Sequence, residues 1–300
     1  MTQLRRRKTA KAGSLVSLTA LLEPAREGGY AVGAFNFCNA ETAQAVVEQG
    51  AALRSPVLLM IGPWETPLLG SRLVVEIADW LARSADVPVC LHLDHASELE
   101  PIRECIAAGF PSVMIDASHC DFEENVRRTR AAVEIAHPLG VSVEGELGAI
   151  GSVDDAAVEG RRRPCLTDPE QAAEFVERTG VDALAVAIGN AHGIYRRRPR
   201  LDFARLRAIR EATEVLLVLH GGSGTPPRQL RQAIEIGVSK VNVASELSRA
   251  YLDGIREYLA ARGEGAWYSQ ALAAAKAAVA QPVARWMRDL GSAGRIPPSP

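Results

Sequence analysis

Three of the chain's six histidines follow apolar runs that have the pattern of buried strands. His95 ends "VPVCLHLDH", His220 ends "VLLVLH", and His192 comes shortly after "ALAVAIG". Three imidazoles that leave a fourth position open are typical of a catalytic zinc site. A metal held in this way polarises a carbonyl group or activates a water molecule. The placement of the three histidines at equivalent strand ends therefore favours a metal centre.

Carboxylates occur at the same predicted strand ends. Asp94 directly precedes the first of these histidines, Asp116 ends "SVMIDA", and Glu146 lies near the end of "VSVEGEL". A charged side chain at the end of an apolar strand costs several kcal/mol unless it is paired or bound to a metal. A metal centre would account for all three carboxylates together. His92, inside its strand, is instead expected to be a packed, hydrogen-bonded residue.

Small and hydroxyl residues follow the last two predicted strands. The first such loop, "HGGSG", contains Gly221, Gly222 and Ser223, and the second, "NVASE", covers residues 242–246. In many α/β barrels a phosphate binds here, on backbone N–H groups and a nearby helix N-terminus. Because the first loop directly follows a candidate metal ligand, we predict an anion site beside the metal centre.

The elements that must position these residues alternate regularly between short apolar runs and segments with helical periodicity. Runs that are apolar on both faces indicate a parallel sheet covered by helices. Eight such units predict a closed α/β (β/α)8 barrel, or TIM barrel, whose active site lies at the carboxyl ends of the strands. No G-x-G-x-x-G motif follows the first strand, which argues against a dinucleotide fold. The predicted strands cover residues 30–37, 56–62, 87–94, 112–117, 141–147, 183–189, 215–221 and 240–245.

The domain organisation follows from the same pattern. Residues 1–14 carry the basic run "RRRK" and are interpreted as an N-terminal arm, for which disorder is the expectation. Residues 15–300 form a single barrel domain in this interpretation. Residues 267–296 are Ala-rich with helical periodicity, and they predict extra C-terminal helices that pack on the barrel or on a neighbouring subunit.

The composition of the chain argues against nucleic-acid-binding, disulfide-rich and membrane-spanning proteins. The net charge of −2 gives no reason to expect nucleic acid as a partner. The five cysteines are odd in number and form no C-x-x-C pair, which favours reduced thiols in a cytoplasm. No apolar run approaches the ~20 residues of a membrane span, and no secretory signal follows the basic N-terminus. We therefore expect a cytoplasmic protein with no membrane partner.

The motifs, taken together and in order, resemble those of the class II, metal-dependent ketose-bisphosphate aldolases. The segments that carry the resemblance include "LHLDHA", "VEGELGAIG", "ALAVAIGNAHGIY", "LVLHGGSG", "KVNVASEL" and "GSAGR". The likeness extends from about residue 15 to 295 and is strongest to the tagatose-bisphosphate and fructose-bisphosphate branch. "HLDH" and "AHG…LHGGSG" are its most specific parts.

The resemblance implies a zinc-dependent lyase of carbohydrate metabolism that makes or breaks a carbon–carbon bond next to the carbonyl of dihydroxyacetone phosphate. Asp94 would be the general acid/base that exchanges a proton with the hydroxyl of the aldehyde half. Asp116 and Glu146 match carboxylates that bind a second or alternative metal position in some members. The resemblance also allows a second metal or a monovalent cation beside the catalytic ion. A homodimer or homotetramer is also implied. The zinc ligands would be His95, His192 and His220.

The resemblance also assigns a substrate pocket and a base. The proton next to the ketone would be abstracted from a loop after the fifth strand, where Asp154 or Asp155 stands in place of the usual Glu. The residues matched to the phosphate and dihydroxyacetone portion are Gly193, Gly221, Gly222, Ser223, Asn242, Val243, Ala244 and Ser245.

Several departures fall on the substrate side of the pattern. Gly62 stands where the family usually has a Ser that contacts phosphate, and Ala244 replaces an Asp of the fructose-bisphosphate branch. The base, Asp154 or Asp155, is one methylene shorter than Glu. Because the three histidines and Asp94 are intact, we expect retained metal chemistry with an altered choice of substrate.

Two other functions fit parts of the pattern. A metal-dependent hydrolase would also use histidines on a barrel rim, but such barrels usually carry H-x-H at the end of the first strand, which here reads "AFNFCNAE". A non-catalytic scaffold subunit of a sugar-phosphate enzyme would keep the fold and lose turnover. A lysine-dependent aldolase is disfavoured because Lys240 is predicted to start its strand, at the opposite rim.

Overall fold

The eight apolar runs form eight parallel strands that close into a barrel in sequence order. The computed structural model describes residues 14–151, 165–195 and 199–298. Ala34 pairs with Leu58 on one side and with Asn242 on the other, which joins the first strand to the last. The strands are β1 Val32–Asn36, β2 Val57–Ile61, β3 Val89–Ala96, β4 Ser112–Ile115, β5 Ser142–Leu147, β6 Ala183–Val186, β7 Leu216–Leu219 and β8 Val238–Val243. The predicted (β/α)8 barrel is confirmed.

Helices alternate with these strands and begin and end at the residues that the sequence suggests. Asn39 caps its helix through the backbone N–H of Thr42, and Asp168 caps another, followed by Pro169. Gly109 and Gly180 end helices in the left-handed conformation. The α-helices of the described residues are α1 Leu18–Glu27, α2 Ala40–Leu53, α3 Thr66–Leu69, α4 Ser71–Ser84, α5 Leu99–Ala108, α6 Phe122–Ala136, α7 Pro169–Thr179, α8 Phe203–Ala212, α9 Pro227–Ile236, α10 Ser245–Arg262 and α11 Tyr268–Asp289.

The apolar core has two layers, because residues of a strand alternate between the two faces of the sheet. One layer lies between the strands and the surrounding helices, and the other fills the barrel. Helix α1 covers the amino end of the barrel, where Leu18 and Leu22 are completely buried against its interior. The amino end is therefore filled by apolar side chains, and the carboxyl end is left for polar ones.

Helices α10 and α11 are the predicted C-terminal additions, and α11 packs against α10 and α2. Their close contact depends on small residues. A Cβ atom on Gly254 would lie 2.8 Å from the Cβ of Ala278 and 3.0 Å from the backbone oxygen of Ala274. The Ala-rich composition of α11 thus allows a close helix–helix approach. In the part of the chain that the structure describes, no helix combines the length and the apolar character that crossing a membrane requires.

One strand boundary differs from the prediction in a way that matters for the site. The last strand starts at Val238, two residues before the predicted start at Lys240. Ser239 and Lys240 interrupt the apolar pattern, although the structure buries both completely. Lys240 therefore lies inside the barrel and not at its opposite rim. A search for apolar runs misses a strand position at which a polar side chain is buried with a partner.

Candidate active site

The end of β3 is distorted so that two consecutive residues face the same cavity. In a regular strand Asp94 and His95 would lie on opposite faces. Here the pairing of β3 with β4 shifts register between Leu93 and Ala96, and His95 has a φ of +51°. A non-glycine residue in this conformation costs about 1–3 kcal/mol and is retained where the surrounding structure requires it. The bulge brings both side chains to the cavity.

The three rim histidines converge on one point from β3, β7 and the loop after β6. The centroid of the His95 ring lies 4.7 Å from that of the His220 ring and 4.9 Å from that of the His192 ring. One ring nitrogen of each residue lies within 4.8 Å of the other two. His192 is held in place by a 2.8 Å hydrogen bond from its backbone N–H to the oxygen of Gly151. This spacing suits three ligands of a single ion.

Hydrogen bonds decide which nitrogen of each ring can bind a metal. The Nδ1 of His95 lies 2.8 Å from Asp116, and the Nε2 of His220 lies 2.9 Å from Glu144. A nitrogen that faces a carboxylate at this distance carries the hydrogen, so the other nitrogen of each ring presents its lone pair. Those two lone-pair nitrogens, Nε2 of His95 and Nδ1 of His220, face each other at 3.0 Å.

Two ring nitrogens this close are stable only with a proton or a metal ion between them. The Nε2 of His192 is also buried without a hydrogen-bond partner among the described residues. Burial lowers the pKa of the His95 ring, but the charges of Asp94 and Asp116 raise it to about 10. Burial and the neighbouring His95 lower the pKa of His192 to about 4 and lower that of His220 as well. The lowered pKa values of His192 and His220 favour the neutral imidazole, which is the form that binds a metal.

Asp116 and Glu146 form a second group of possible ligands beside His95. The hydroxyl of Ser118 lies 2.8 Å from Asp116 and 3.0 Å from Glu146. Burial and the charge of Asp116 raise the pKa of Glu146 to about 8. Oε2 of Glu146 accepts no hydrogen bond from the described residues and lies 3.5 Å from Nδ1 of His220. These carboxylates are therefore placed where a second cation position would need them.

A buried ionic network supports the histidines from inside the barrel. The ammonium group of Lys240 on β8 lies 2.8 Å from Glu144 on β5, which also accepts from His220. His92 hydrogen-bonds Ser112 at 2.7 Å, in agreement with the structural role expected for it. Lys240 does not line the cavity, so it is not placed to form an imine with a substrate. Two-residue spacing in "EGE" and "KVN" places Glu144 and Lys240 on the interior face, a signal that the sequence contains.

We expect Lys240→Met to lower the free energy of unfolding by about 3–5 kcal/mol, because Glu144 would stay buried without its cation. Urea denaturation measures the change. Lys240→Met combined with Glu144→Gln should recover part of the loss, since the Gln oxygen can still accept from His220. Lys276→Met is the control, because it removes a surface pair with Glu48 worth about 1 kcal/mol or less. If Lys240→Met and Lys276→Met lowered the free energy of unfolding equally, Lys240 would not be the cation that stabilises buried Glu144.

The glycine loops after β6 and β7 approach each other closely. Gly221 has a φ of +65°, and a Cβ on it would lie 2.0 Å from the backbone oxygen of Ala191. Gly193 also has a positive φ, of +105°. The N–H of Gly222 donates to the oxygen of Asn242 at 2.9 Å, so it ties β7 to β8 and is not directed at the cavity. Only glycine at 221 allows the two loops to meet.

The residues predicted for the substrate divide between the cavity and its surroundings. The cavity has a volume of about 1310 Å³ at the carboxyl end of the barrel. Four of these residues do not line the cavity. The side chain of Val243 packs in the core layer between the strands and the helices, and the other three are His220, Glu146 and Gly222. Asp154 and Asp155 lie outside the described residues. The predicted residues that line the cavity are Asp94, His95, Asp116, His192, Gly193, Gly221, Ser223, Asn242, Ala244 and Ser245.

The cavity also contains side chains that the sequence did not single out. Asn36 ends β1, while Trp64 and Glu65 follow β2. Tyr195 accepts from the N–H of Ala191 at 2.7 Å and so braces the loop that carries His192. Arg249 and Arg256 line the mouth from α10. Among these side chains, only Asn36 could have been found from the sequence. It is a polar residue at the end of an apolar strand, which is the pattern that identified His95 and His220.

Comparison with known proteins agrees with this geometry. Residues 16–295 match the family described as fructose-bisphosphate aldolase class-II. The YdjI aldolase from Escherichia coli K12 is 34% identical, with a TM-score of 0.81, over 94% of this chain and 100% of that one. A Coccidioides immitis protein, provisionally named a fructose-1,6-biphosphate aldolase, is also 34% identical, with a TM-score of 0.84, over 93% of this chain and 97% of that one.

A more distant structure shares the fold. The fructose-bisphosphate aldolase (Fba) from Campylobacter jejuni is 23% identical, with a TM-score of 0.79, over 94% of this chain and 97% of that one. The family match covers the whole barrel and includes every residue of the histidine cluster. The chain therefore belongs to the class II fructose-bisphosphate aldolase family.

Proposed function

We propose that this aldolase is zinc-dependent and joins dihydroxyacetone phosphate to an aldehyde, and that it cleaves the resulting ketose phosphate in reverse. The observation that carries the proposal is the convergence of three imidazole lone pairs beside the carboxylate of Asp94. Imidazole nitrogens from three elements, with an open fourth side toward a cavity, are the donor set that catalytic zinc prefers. When bound, the ion would polarise the ketone carbonyl and stabilise the negative charge that develops on its oxygen.

Asp94 is placed to move a proton at the other reacting carbon. Its side chain is nearly buried, and its Oδ1 accepts from the amide of Asn242 at 3.1 Å. Burial raises the pKa of Asp94, but the charges of His95 and His220 lower it overall, so the carboxylate is ionised at rest. In cleavage it accepts the hydroxyl proton as the carbon–carbon bond breaks. In condensation it returns that proton to the aldehyde oxygen.

The carbanion half of the reaction needs a second proton carrier. The C3 proton of dihydroxyacetone phosphate leaves before the new bond to the aldehyde carbon forms, and it returns to C3 after cleavage. We propose that Asp154 or Asp155 is the base that removes this proton and returns it.

The phosphate is proposed to bind between the Gly221–Ser223 loop and the start of α10. Ala244, Ser245 and Ser248 line the cavity at the amino end of this 18-residue helix. The N-terminus of a helix carries a partial positive charge and free N–H groups that favour an anion. Ser223 already receives the N–H of Glu246 at 3.3 Å, which holds this loop against the helix.

A retro-aldol assay on the zinc-loaded protein tests the proposal. Fructose and tagatose bisphosphates and their 1-phosphates are supplied, and release of dihydroxyacetone phosphate is measured beside the zinc content. We expect release that disappears after chelation and returns with zinc. Release of inorganic phosphate without carbon–carbon cleavage would favour the hydrolase instead. A zinc-loaded protein that binds the sugars without turnover would favour the scaffold.

We also propose a cytoplasmic homodimer or homotetramer. All five cysteines are free, as expected for a reducing compartment. Trp267 and Tyr268, at the start of α11, expose adjoining rings to solvent, which is typical of a surface that meets another protein. Light scattering of the purified protein measures the assembly.

A further inference from the structure

A carboxylate forms part of the cavity wall on the side of β1 and β2. Oε2 of Glu65 accepts the backbone N–H of Gly62 at 2.8 Å, and its Oε1 accepts the side-chain amide of Asn36 at 2.9 Å. Both Asn36 and Glu65 line the cavity. The side-chain amide of Asn36 and the N–H of Gly62 are therefore already bound to an anion of the protein itself.

A side chain at position 62 would crowd this arrangement, so Gly62 gives it room. A Cβ on Gly62 would lie 2.9 Å from Oε2 of Glu65 and 2.7 Å from the ring of Trp64. The turn is rigid, since the oxygen of Gly62 accepts the N–H groups of Glu65 and Thr66 at 3.1 and 3.0 Å and the hydroxyl of Thr66 at 2.8 Å. Trp64 and Glu65 thus lie against the space that a side chain at position 62 would enter.

The charge at this place decides what the wall can bind. A carboxylate accepts hydrogen bonds from hydroxyl groups but repels a phosphate. Asp94 and Asp116 add negative charge to the same cavity. The cavity's arginines, Arg249 and Arg256, lie on exposed turns of α10, and Arg256 is paired with Asp253.

We propose that Glu65 determines substrate specificity by selecting aldehydes that present uncharged hydroxyl groups to the β1–β2 wall and by disfavouring a phosphate there. The preferred ketoses are then monophosphates, phosphorylated only on the dihydroxyacetone half. This inference rests on the proposed aldolase function and specifies the other half of its substrate.

The test compares fructose 1-phosphate with fructose 1,6-bisphosphate as substrates of the zinc-loaded protein. We expect the native protein to cleave the monophosphate with a kcat/KM about tenfold or more above that for the bisphosphate. Glu65→Gln keeps the shape and removes the charge, and it should shift the ratio about tenfold toward the bisphosphate. Glu76→Gln, on the exposed face of α4, makes the same change in net charge and should leave the ratio unaltered.

A binding measurement separates this inference from the proposed function. Calorimetry on zinc-loaded Asp94→Asn protein, with and without Glu65→Gln, gives the Kd ratio of the two sugars without turnover. A native preference for the bisphosphate, or a ratio that Glu65→Gln changes less than twofold, would overturn the role of Glu65. Failure of the native protein to release dihydroxyacetone phosphate, with the Kd ratio as expected, would overturn the proposed reaction and leave the selectivity standing.

Discussion

Asp94→Asn is expected to lower kcat for retro-aldol cleavage by about 100- to 10 000-fold, the usual contribution of a general acid/base. The amide is isosteric with the carboxylate but cannot accept the hydroxyl proton. Since Asp94 is not among the three imidazole donors, zinc should remain bound at about one equivalent. The measurement is kcat for dihydroxyacetone phosphate release, together with zinc analysis of the same sample.

A matched substitution separates the chemistry from general electrostatics. Asp79→Asn changes the net charge equally, but Asp79 lies on α4 in an ion pair with Arg83. That variant should retain native kcat. If Asp94→Asn retained more than about a tenth of native kcat, another group would be moving the proton, and the role assigned to Asp94 would be wrong.

His95→Ala is expected to release the metal and with it almost all turnover. Two imidazole donors would remain, and Asp116 would lose the ring that it orients at 2.8 Å. Substituting an outer partner of a metal ligand usually costs about 10–100-fold in metal affinity, so losing the ligand itself should cost more. Zinc content after dialysis against a chelator, and kcat in the same buffer, measure the two effects.

Two further substitutions should affect zinc binding less than His95→Ala does. Asp116→Asn weakens only the orientation of His95 and should reduce zinc affinity by about 10–100-fold. His137→Ala removes a histidine that pairs with Asp182 outside the site and should change neither quantity. Retention of a full equivalent of zinc by His95→Ala would mean that the ion binds elsewhere, and the group formed by Asp116 and Glu146 would then be the place to examine.

Much of the fold could be predicted, because a barrel repeats one simple pattern eight times. Runs such as β2 and β6 are apolar on both faces, and helices such as α7 carry a cap at Asp168 and a terminal glycine at Gly180. Such signals are local and depend on a few neighbouring residues. The boundary error at β8 arose where this locality fails, because Ser239 and Lys240 are buried by partners from distant parts of the chain.

The site could be predicted only in part, since conformation and pairing decide what a side chain does. Strand periodicity alone would separate Asp94 from His95, and the register shift with β4 unites them. Gly222 lies in a loop with the composition of a phosphate-binding loop, yet its N–H donates to the backbone oxygen of Asn242 on β8. Glu65 lies in a turn with no notable sequence pattern, and only the folded chain places its carboxylate against the N–H of Gly62.

The sequence by itself determined the parallel barrel and the rim where the three histidines and Asp94 meet, at or beyond the carboxyl ends of their strands. These follow because strand ends of a parallel barrel must meet on one face. The tertiary structure decided which ring nitrogens are free, how Lys240 balances Glu144 inside the barrel, and that the carboxylate of Glu65 lines the cavity. These depend on distances of a few ångströms between residues far apart in the chain, which no local pattern of residue types encodes.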